Sequence, residues 1–193
     1  MKEIKVFIAV SLDGFIAPPD GGMDWLAGLS CPTLNEFRDK TFYDSIDTVI
    51  MGNGTYQEIA SFDVDWAYKD RATYVLSRRN DNLPPKVNVS YLTENVLEKI
   101  RQIKCREGKD IWLLGGGQTI RLLLNHDLVD ELQLCHIPVM LGEGIPLFPC
   151  KMKTSKWILT DNKSFENGIL KTLYSRGKTI LPVSFLSRRI RPV

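Results

Sequence analysis

The stretch from Ile111 to Phe148 constrains the fold most. It opens with a short apolar run, Ile111 to Leu114, of the length and character of a buried strand. Three glycines follow, Gly115, Gly116 and Gly117. Then Gln118 to Asn125 places Ile120, Leu123 and Leu124 on one helical face. The order is strand, glycine turn, helix. Glycine takes positive φ and lets the backbone come close to a ligand. A helix start carries unpaired N–H groups and partial positive charge, which suit a phosphate. Two readings stand: a seat for a dinucleotide pyrophosphate, or a tight turn of an ordinary α/β protein. The Rossmann fingerprint is excluded, because Ile120 stands where its third glycine would be. A P-loop is excluded too, because no Lys-Ser or Lys-Thr pair follows.

Leu128 to Ile137 reads as a long strand opening on Val-Asp-Glu-Leu. Pro138 stops regular pairing, and Gly142 and Gly144 break the chain again. The segments "LLGGGQTI", "LVDELQL" and "PVMLGEGIPLF" resemble the dihydrofolate-reductase-like fold family. The nearest branch is the reductase domain of the bifunctional riboflavin-biosynthesis deaminase/reductase, with its stand-alone relatives. The resemblance spans nearly the whole chain.

Composition sets the bounds. At 193 residues the chain suffices for one domain, residues 1–193, with a sizeable core. A net charge of +2 implies no strong pull toward nucleic acid or membrane. The tail arginines Arg188, Arg189 and Arg191 come with no aromatic interleaving or binding motif, so they read as a solvated or packing tail. Cys31, Cys105, Cys135 and Cys150 are widely spaced with no Cys-x-x-Cys pair, and there are only two histidines. No metal site is expected, and free thiols in a reducing cytosol are the default. The first apolar run is too short for a signal peptide, and no stretch reaches transmembrane length. A cytoplasmic protein is expected.

In chain order, Ile4 to Val10 is an apolar β-branched run and the first strand. Asp13-Gly14 signals a turn, and Pro18, Pro19, Gly21 and Gly22 keep the next residues irregular. The resemblance implies that this loop closes over a nicotinamide ring, with Ala9, Ile16 and Ala17 at that end of the cofactor. It also implies that Trp25 packs near the cofactor and substrate. Pro32 to Asp44 reads as a helix with Leu34 and Phe37 inward. In dihydrofolate reductase this helix carries the carboxylate that binds the pterin, four residues before a pocket phenylalanine. Counting back from Phe37 gives Thr33, which argues against folate chemistry and toward the riboflavin-type branch.

Thr48 to Met51 is the second strand. Thr55 and Glu58 read as a capping box, so a helix starts there. In the family the "MGNGTY" element binds cofactor phosphates, which implicates Gly52, Asn53, Gly54 and Thr55. An arginine usual after the first glycine is here Asn53. Ala72 to Leu76 is the third strand, and the resemblance sets Leu76, Ser77 and Arg78, with Arg79 in reserve, against the adenosine phosphate. Val87 to Leu92 is a weak strand, and Thr93 caps a helix to about Arg106 with Val96, Leu97, Ile100 and Ile103 inward. Trp157 to Lys163 and Gly168 to Arg176 are strands joined through Asn167-Gly168, a hairpin signal.

The expected fold is a three-layer α/β/α protein with a mixed, mainly parallel sheet of about eight strands. The resemblance implies an NADPH-dependent oxidoreductase acting on a small heterocyclic or ribosylamino-pyrimidine-like substrate. Gly115, Gly116, Gly117, Gln118 and Thr119 would seat the pyrophosphate. Trp25, Thr33, Phe37 and Cys135 would border the substrate. Asp24 is the acid on offer as proton donor, with ordered water as the alternative. A homodimer is implied. Two alternatives stand: a non-catalytic nucleotide-binding protein of the same fold, and a dihydrofolate reductase with an altered pocket.

Overall fold

The computed structural model describes residues 1–27, 40–62, 65–78 and 86–177. Its strands are β1 (Ile4–Ser11), β2 (Phe15–Ala17), β3 (Ile46–Gly52), β4 (Ala72–Leu76), β5 (Val89–Leu92), β6 (Asp110–Gly115), β7 (Glu131–Ile137), β8 (Ile145–Pro146), β9 (Trp157–Ser164) and β10 (Leu170–Arg176). Its helices are α1 (Asp24–Ala27), α2 (Lys40–Asp44), α3 (Asn53–Ser61), α4 (Val96–Lys104) and α5 (Gly117–Asn125). One eight-stranded sheet runs β5-β4-β3-β6-β1-β7-β10-β9. The first six strands pair parallel, and β10 and β9 add an antiparallel edge. The mixed, mainly parallel sheet expected from the sequence is therefore the one observed.

Side-chain alternation assigns the helices to faces. Even positions of β1 (Ile4, Val6, Val10) share one core with Ile111 and Leu113 of β6 and Leu132 and Leu134 of β7. Ile100 and Ile103 of α4 and Ile120, Leu123 and Leu124 of α5 cover that face. Odd positions face the other way. Phe7, Cys135 and Ile137 pack with Phe42 of α2 and Trp25 of α1, and Val49, Met51 and Val75 pack with Tyr56 of α3. A period of two along each strand thus produces the three layers. Burying each large aliphatic side chain favours the fold by roughly 1.5–3 kcal/mol.

Several element boundaries differ from the sequence reading. Helix α3 begins at Asn53 with Gly52 as its N-cap and no side-chain cap bond, so Thr55 lies inside the first turn and is not the cap. Helix α4 begins at Val96, after Asn95 in left-handed geometry, and is not capped by Thr93. Strand β7 starts at Glu131, three residues after Leu128, because Asp130 turns its carboxylate onto the Ile4 N–H at 2.8 Å. The β9–β10 hairpin closes through Gly168 at φ +84°, whose N–H donates to Phe165 O at 2.9 Å. Of the helix expected over 32–44, residues 40–44 are described as helical.

A second sheet had no sequence-level counterpart. β2 pairs antiparallel with β8. The pair is tied down from both ends: Leu12 N–H donates to Val139 O at 2.9 Å, and Leu147 N–H to Gly14 O at 2.9 Å. Asp13 completes the join. Its carboxylate accepts from Ser11 Oγ at 2.6 Å, Gly142 N–H at 2.7 Å and Leu141 N–H at 3.2 Å. The turn former of the sequence reading is thus also a clamp. No helix among the described residues is long and apolar enough to cross a membrane.

Candidate cofactor and substrate cleft

Strands β3 and β6 are parallel neighbours, yet their connections leave in opposite directions. β3 leads through α3 to β4, and β6 leads through α5 to β7. Such a switch point opens a crevice at the carboxyl ends of the strands, where ligands of open α/β sheets bind. Both helices begin there on glycine N-caps, Gly52 and Gly116, with no side-chain cap bond at either start. The starts are close together: a Cβ on Gly116 would lie 3.4 Å from Thr55 Oγ1. Gly115 has φ +138°, a region that favours glycine, and the Gly115–Gly116 peptide is cis.

A cavity of about 720 Å³ extends from this point over the α1–α3 face. Its floor is apolar, built from Phe7, Ala9, Trp112 and Leu114. Gly115, Gly116, Gly54 and Thr55 form one wall. Ile16, Ala17 and Ile145 of the β2–β8 ribbon form the roof, and Met23 and Leu26 flank it. Trp66 and Tyr68 close the side beyond α3, and among the described residues Asp20, Glu58, Asp65 and Lys86 are the charged ones in the lining. The volume is within the roughly 300–1,000 Å³ typical of ligand sites.

The structure brings together seven of the residues named from sequence for the cofactor: Ala9, Ile16, Ala17, Gly54, Thr55, Gly115 and Gly116. Others sit elsewhere. Thr119 is 8% exposed, and its Oγ1 stands 2.7 Å from where a Cβ on Gly52 would be, so the two residues pack on each other. Gly117 is a glycine because of the fold: a Cβ there would lie 2.3 Å from Pro146 O of β8. Gln118 is exposed, and Asn53 opens α3 without lining the cavity. Leu76 points into the opposite core, the Ser77 N–H extends the β4–β5 ladder to Leu92 O, and Arg78 is exposed just past β4.

The substrate-side expectations shift by one residue. Met23, just before α1, and Leu26 within it both line the cavity. Trp25 instead packs into the core with Phe7 and Phe42, and Asp24 is exposed outside the cavity lining. Cys135 is buried in that same core, beside Ala9 in the β1–β7 register, and does not line the cavity. Thr33, Phe37 and Arg79 lie outside the described residues. His136 is held in the β7 ladder with Nε2 3.3 Å from Thr172 Oγ1, and burial keeps its pKa below the ordinary histidine value. The carboxyl of Asp13 is held below the usual range, chiefly by the Ser11 hydroxyl. Among the described residues no cluster of three or more His, Cys, Asp or Glu is placed to hold a metal ion.

Trp112, Trp66, Tyr68 and Lys86 were not anticipated. The first could have been found from alternation, since Ile111 and Leu113 face one core and Trp112 must face the other. The last three follow from the path of two loops, which no local pattern records.

Sheet order, switch point and layer arrangement define a dihydrofolate-reductase-like α/β protein. Residues 2–171 match the family described as RibD C-terminal domain, and the chain belongs to that reductase-like family. It is 34% identical to YwjB of Bacillus subtilis (strain 168) over 168 residues, 87% of this chain and 95% of that protein. It is 28% identical to riboflavin biosynthesis protein RibD of Corynebacterium ammoniagenes, covering 74% of this chain and 45% of that longer protein. Among solved structures, a putative riboflavin biosynthesis protein from Shewanella sp. PV-4 superposes with a TM-score of 0.79 at 29% identity, over 91% of this chain and 99% of the other. A dihydrofolate reductase from Enterococcus faecalis complexed with NADP(H) shares the fold, with a TM-score of 0.62 at 18% identity over 90% and 96% of the two chains.

Proposed function

We propose that this chain is an NADPH-dependent reductase of a small heterocyclic, ribosylamino-pyrimidine-like substrate. The observation that carries the reading is the meeting of two uncapped helix starts, at Gly52 and Gly116, on the wall of an apolar cavity at the switch point. The residues present fit a dinucleotide. Glycine at 115 and 116 leaves the backbone open to a pyrophosphate, and both helix starts offer N–H groups and positive dipole ends to it. Thr55, facing Gly116, is placed to add a hydroxyl contact.

The bound cofactor would supply hydride chemistry. The chain's own part is to bind, orient and exclude water. Ala9 is small enough to leave room on the floor, and Ile16, Ala17 and Ile145 close from above. A dry, closed site strengthens every polar contact inside it. Among the described residues no carboxylate stands on the floor, and Asp24 lies outside the cavity. Ordered water is therefore the proton source that this arrangement favours over Asp24. Association of two copies belongs to the same proposal, and sedimentation analysis tests it.

The decisive experiment is a fluorescence titration with NADPH, followed by its oxidation in the presence of a panel of pyrimidine, pteridine and ribosylamino-pyrimidine compounds, dihydrofolate included. Binding with turnover of a panel member supports the reading. Binding without oxidation by any of them favours a nucleotide-binding protein without catalysis. Absence of binding overturns both.

A further inference from the structure

The roof of the cavity is a ribbon too small to hold its own shape. β2 has three residues and β8 has two. An isolated two-stranded ribbon is marginal in water, so this one takes its order from what it is fastened to. One fastening lies between the two loops. The Asp13 carboxylate accepts from the Leu141 and Gly142 N–H groups, and Leu12 N–H donates to Val139 O. The other fastening is helix α5. Leu147, directly after β8, is 2% exposed and shares a core with Ile120 and Leu123 of α5. Its N–H donates to Gly14 O at 2.9 Å, just before β2. Gly117, the first residue of α5, lies against Pro146 O of β8, and Gly144 lies against Ala17 O of β2. Neither glycine has room for a Cβ.

β8 is therefore wedged between a helix start and a roof strand. Gly116, the N-cap of α5, stands on the anion-favouring wall, and Ile16, Ala17 and Ile145 stand in the roof. Contacts packed without slack pass a displacement on instead of absorbing it. Ordering one side of such a contact also lowers the entropic cost of ordering the other. We infer that β8 couples the two ends of the cleft: an anion seated at the start of α5 orders the β2–β8 roof. On the reductase reading proposed above, on which the identity of that anion rests, it is the cofactor's pyrophosphate. The roof then sets on the pyrophosphate half of the dinucleotide and does not need the nicotinamide to touch it.

Hydrogen exchange of the full chain, read by mass spectrometry over 12–17 and 139–147, tests the coupling. The probes, at saturation, are NADPH, 2′-phospho-ADP-ribose, which keeps the pyrophosphate and lacks the nicotinamide, and adenosine 2′-monophosphate, which lacks both. NADPH and 2′-phospho-ADP-ribose should each slow both segments by about tenfold, within the usual span of coupling between sites, and adenosine 2′-monophosphate should leave them unchanged. Slowing by NADPH alone overturns the inference, because the nicotinamide then orders the roof by direct contact. Gly117→Ala tests the wedge without any ligand. Its Cβ pushes on Pro146, so exchange should quicken at 12–17 as well as at 139–147, and quickening confined to 139–147 overturns the coupling. Gly144→Ala parts β8 from Ala17 at the other contact. There 2′-phospho-ADP-ribose should still slow 139–147 and no longer slow 12–17, and equal slowing of both overturns the assignment to β8. If none of the probes binds, the reductase reading falls, and the ligand-free Gly117→Ala comparison still decides whether β8 joins α5 to the roof.

Discussion

Gly116 and Thr55 face each other across the crevice between β6 and β3, so closely that a methyl group on Gly116 would come within 3.4 Å of Thr55 Oγ1. Two helix starts on opposite faces of the sheet are thereby brought to one point. That convergence turns two glycine turns, each ordinary alone, into a single anion-favouring wall.

Gly116→Val should abolish NADPH binding while the chain still folds. The branched side chain fills the gap to Thr55 and the space a pyrophosphate would use. Calorimetric titration checks affinity, and circular dichroism checks the fold. Unchanged affinity in a folded variant would move the site elsewhere.

Two glycines in the first turns of α5 and α3 should behave differently. In Gly117→Ala the new Cβ would meet Pro146 O at 2.3 Å, so β8 must shift and stability should fall by about 1–3 kcal/mol. Gly54 has nothing within 4 Å of its would-be Cβ and lies in a helix, so Gly54→Ala should stabilise by roughly 0.5–1 kcal/mol. Thermal or denaturant unfolding of both variants reads the contrast. A Gly117→Ala variant as stable as the parent would mean that β8 does not hold its place against α5.

Cofactor preference should depend on a cation at the edge of the cleft. Arg78 lies two residues past the end of β4 and is exposed, and Lys86 lines the cavity. Losing a hydrogen bond to a charged group costs about 1.5–3 kcal/mol, so Arg78→Ala should weaken NADPH by about tenfold or more and leave NADH nearly unchanged. Lys86→Ala is the comparison. Equal losses for both cofactors would indicate a general effect of charge, and no loss in either variant would remove this account of 2′-phosphate recognition.

Asp13→Ala should loosen the β2–β8 ribbon without melting the main sheet. It removes the acceptor of the Leu141 and Gly142 N–H groups. Hydrogen exchange should accelerate at 14–17 and 141–147, while β1, β3 and β6 keep their protection. Uniform acceleration across the sheet would instead assign Asp13 to global stability.

Asp127 predicts an acid limb of stability. Lys153 and Arg176 hydrogen-bond its carboxylate and hold its pKa at about 2, against an ordinary 3.8. A group whose pKa is depressed by folding contributes stability above its unfolded value and loses it as pH falls through the folded one. The contribution should therefore fade between about pH 4 and pH 2. Asp127→Asn should be the less stable protein at pH 7 and show a flatter profile in that window, so that the two profiles converge near pH 2. Parallel profiles for the two proteins would contradict the assignment.

The sequence by itself determined the local elements and their order. Apolar runs such as Ile4 to Val10 and Ile111 to Leu114 carry period-two burial within themselves, and a glycine turn followed by the Ile120, Leu123, Leu124 stripe carries its own helix. These signals are local, so the strands of the main sheet, α5 and the C-terminal hairpin were legible, while β2 and β8 were not, and the resemblance supplied the sheet. Only the tertiary structure decided which side chains meet. Thr119 reads as a phosphate ligand until Gly52, from a distant strand, is found packed on its hydroxyl. Trp25 reads as a site residue until α1 turns Met23 and Leu26 to the cavity and Trp25 to the core. Gly117 serves the passage of β8, and Trp66 and Lys86 enter the cleft by the course of their loops. Each of these depends on a contact between residues far apart in the chain, and burial free energy, which selects such contacts, depends on the area covered and leaves no periodic mark in either segment.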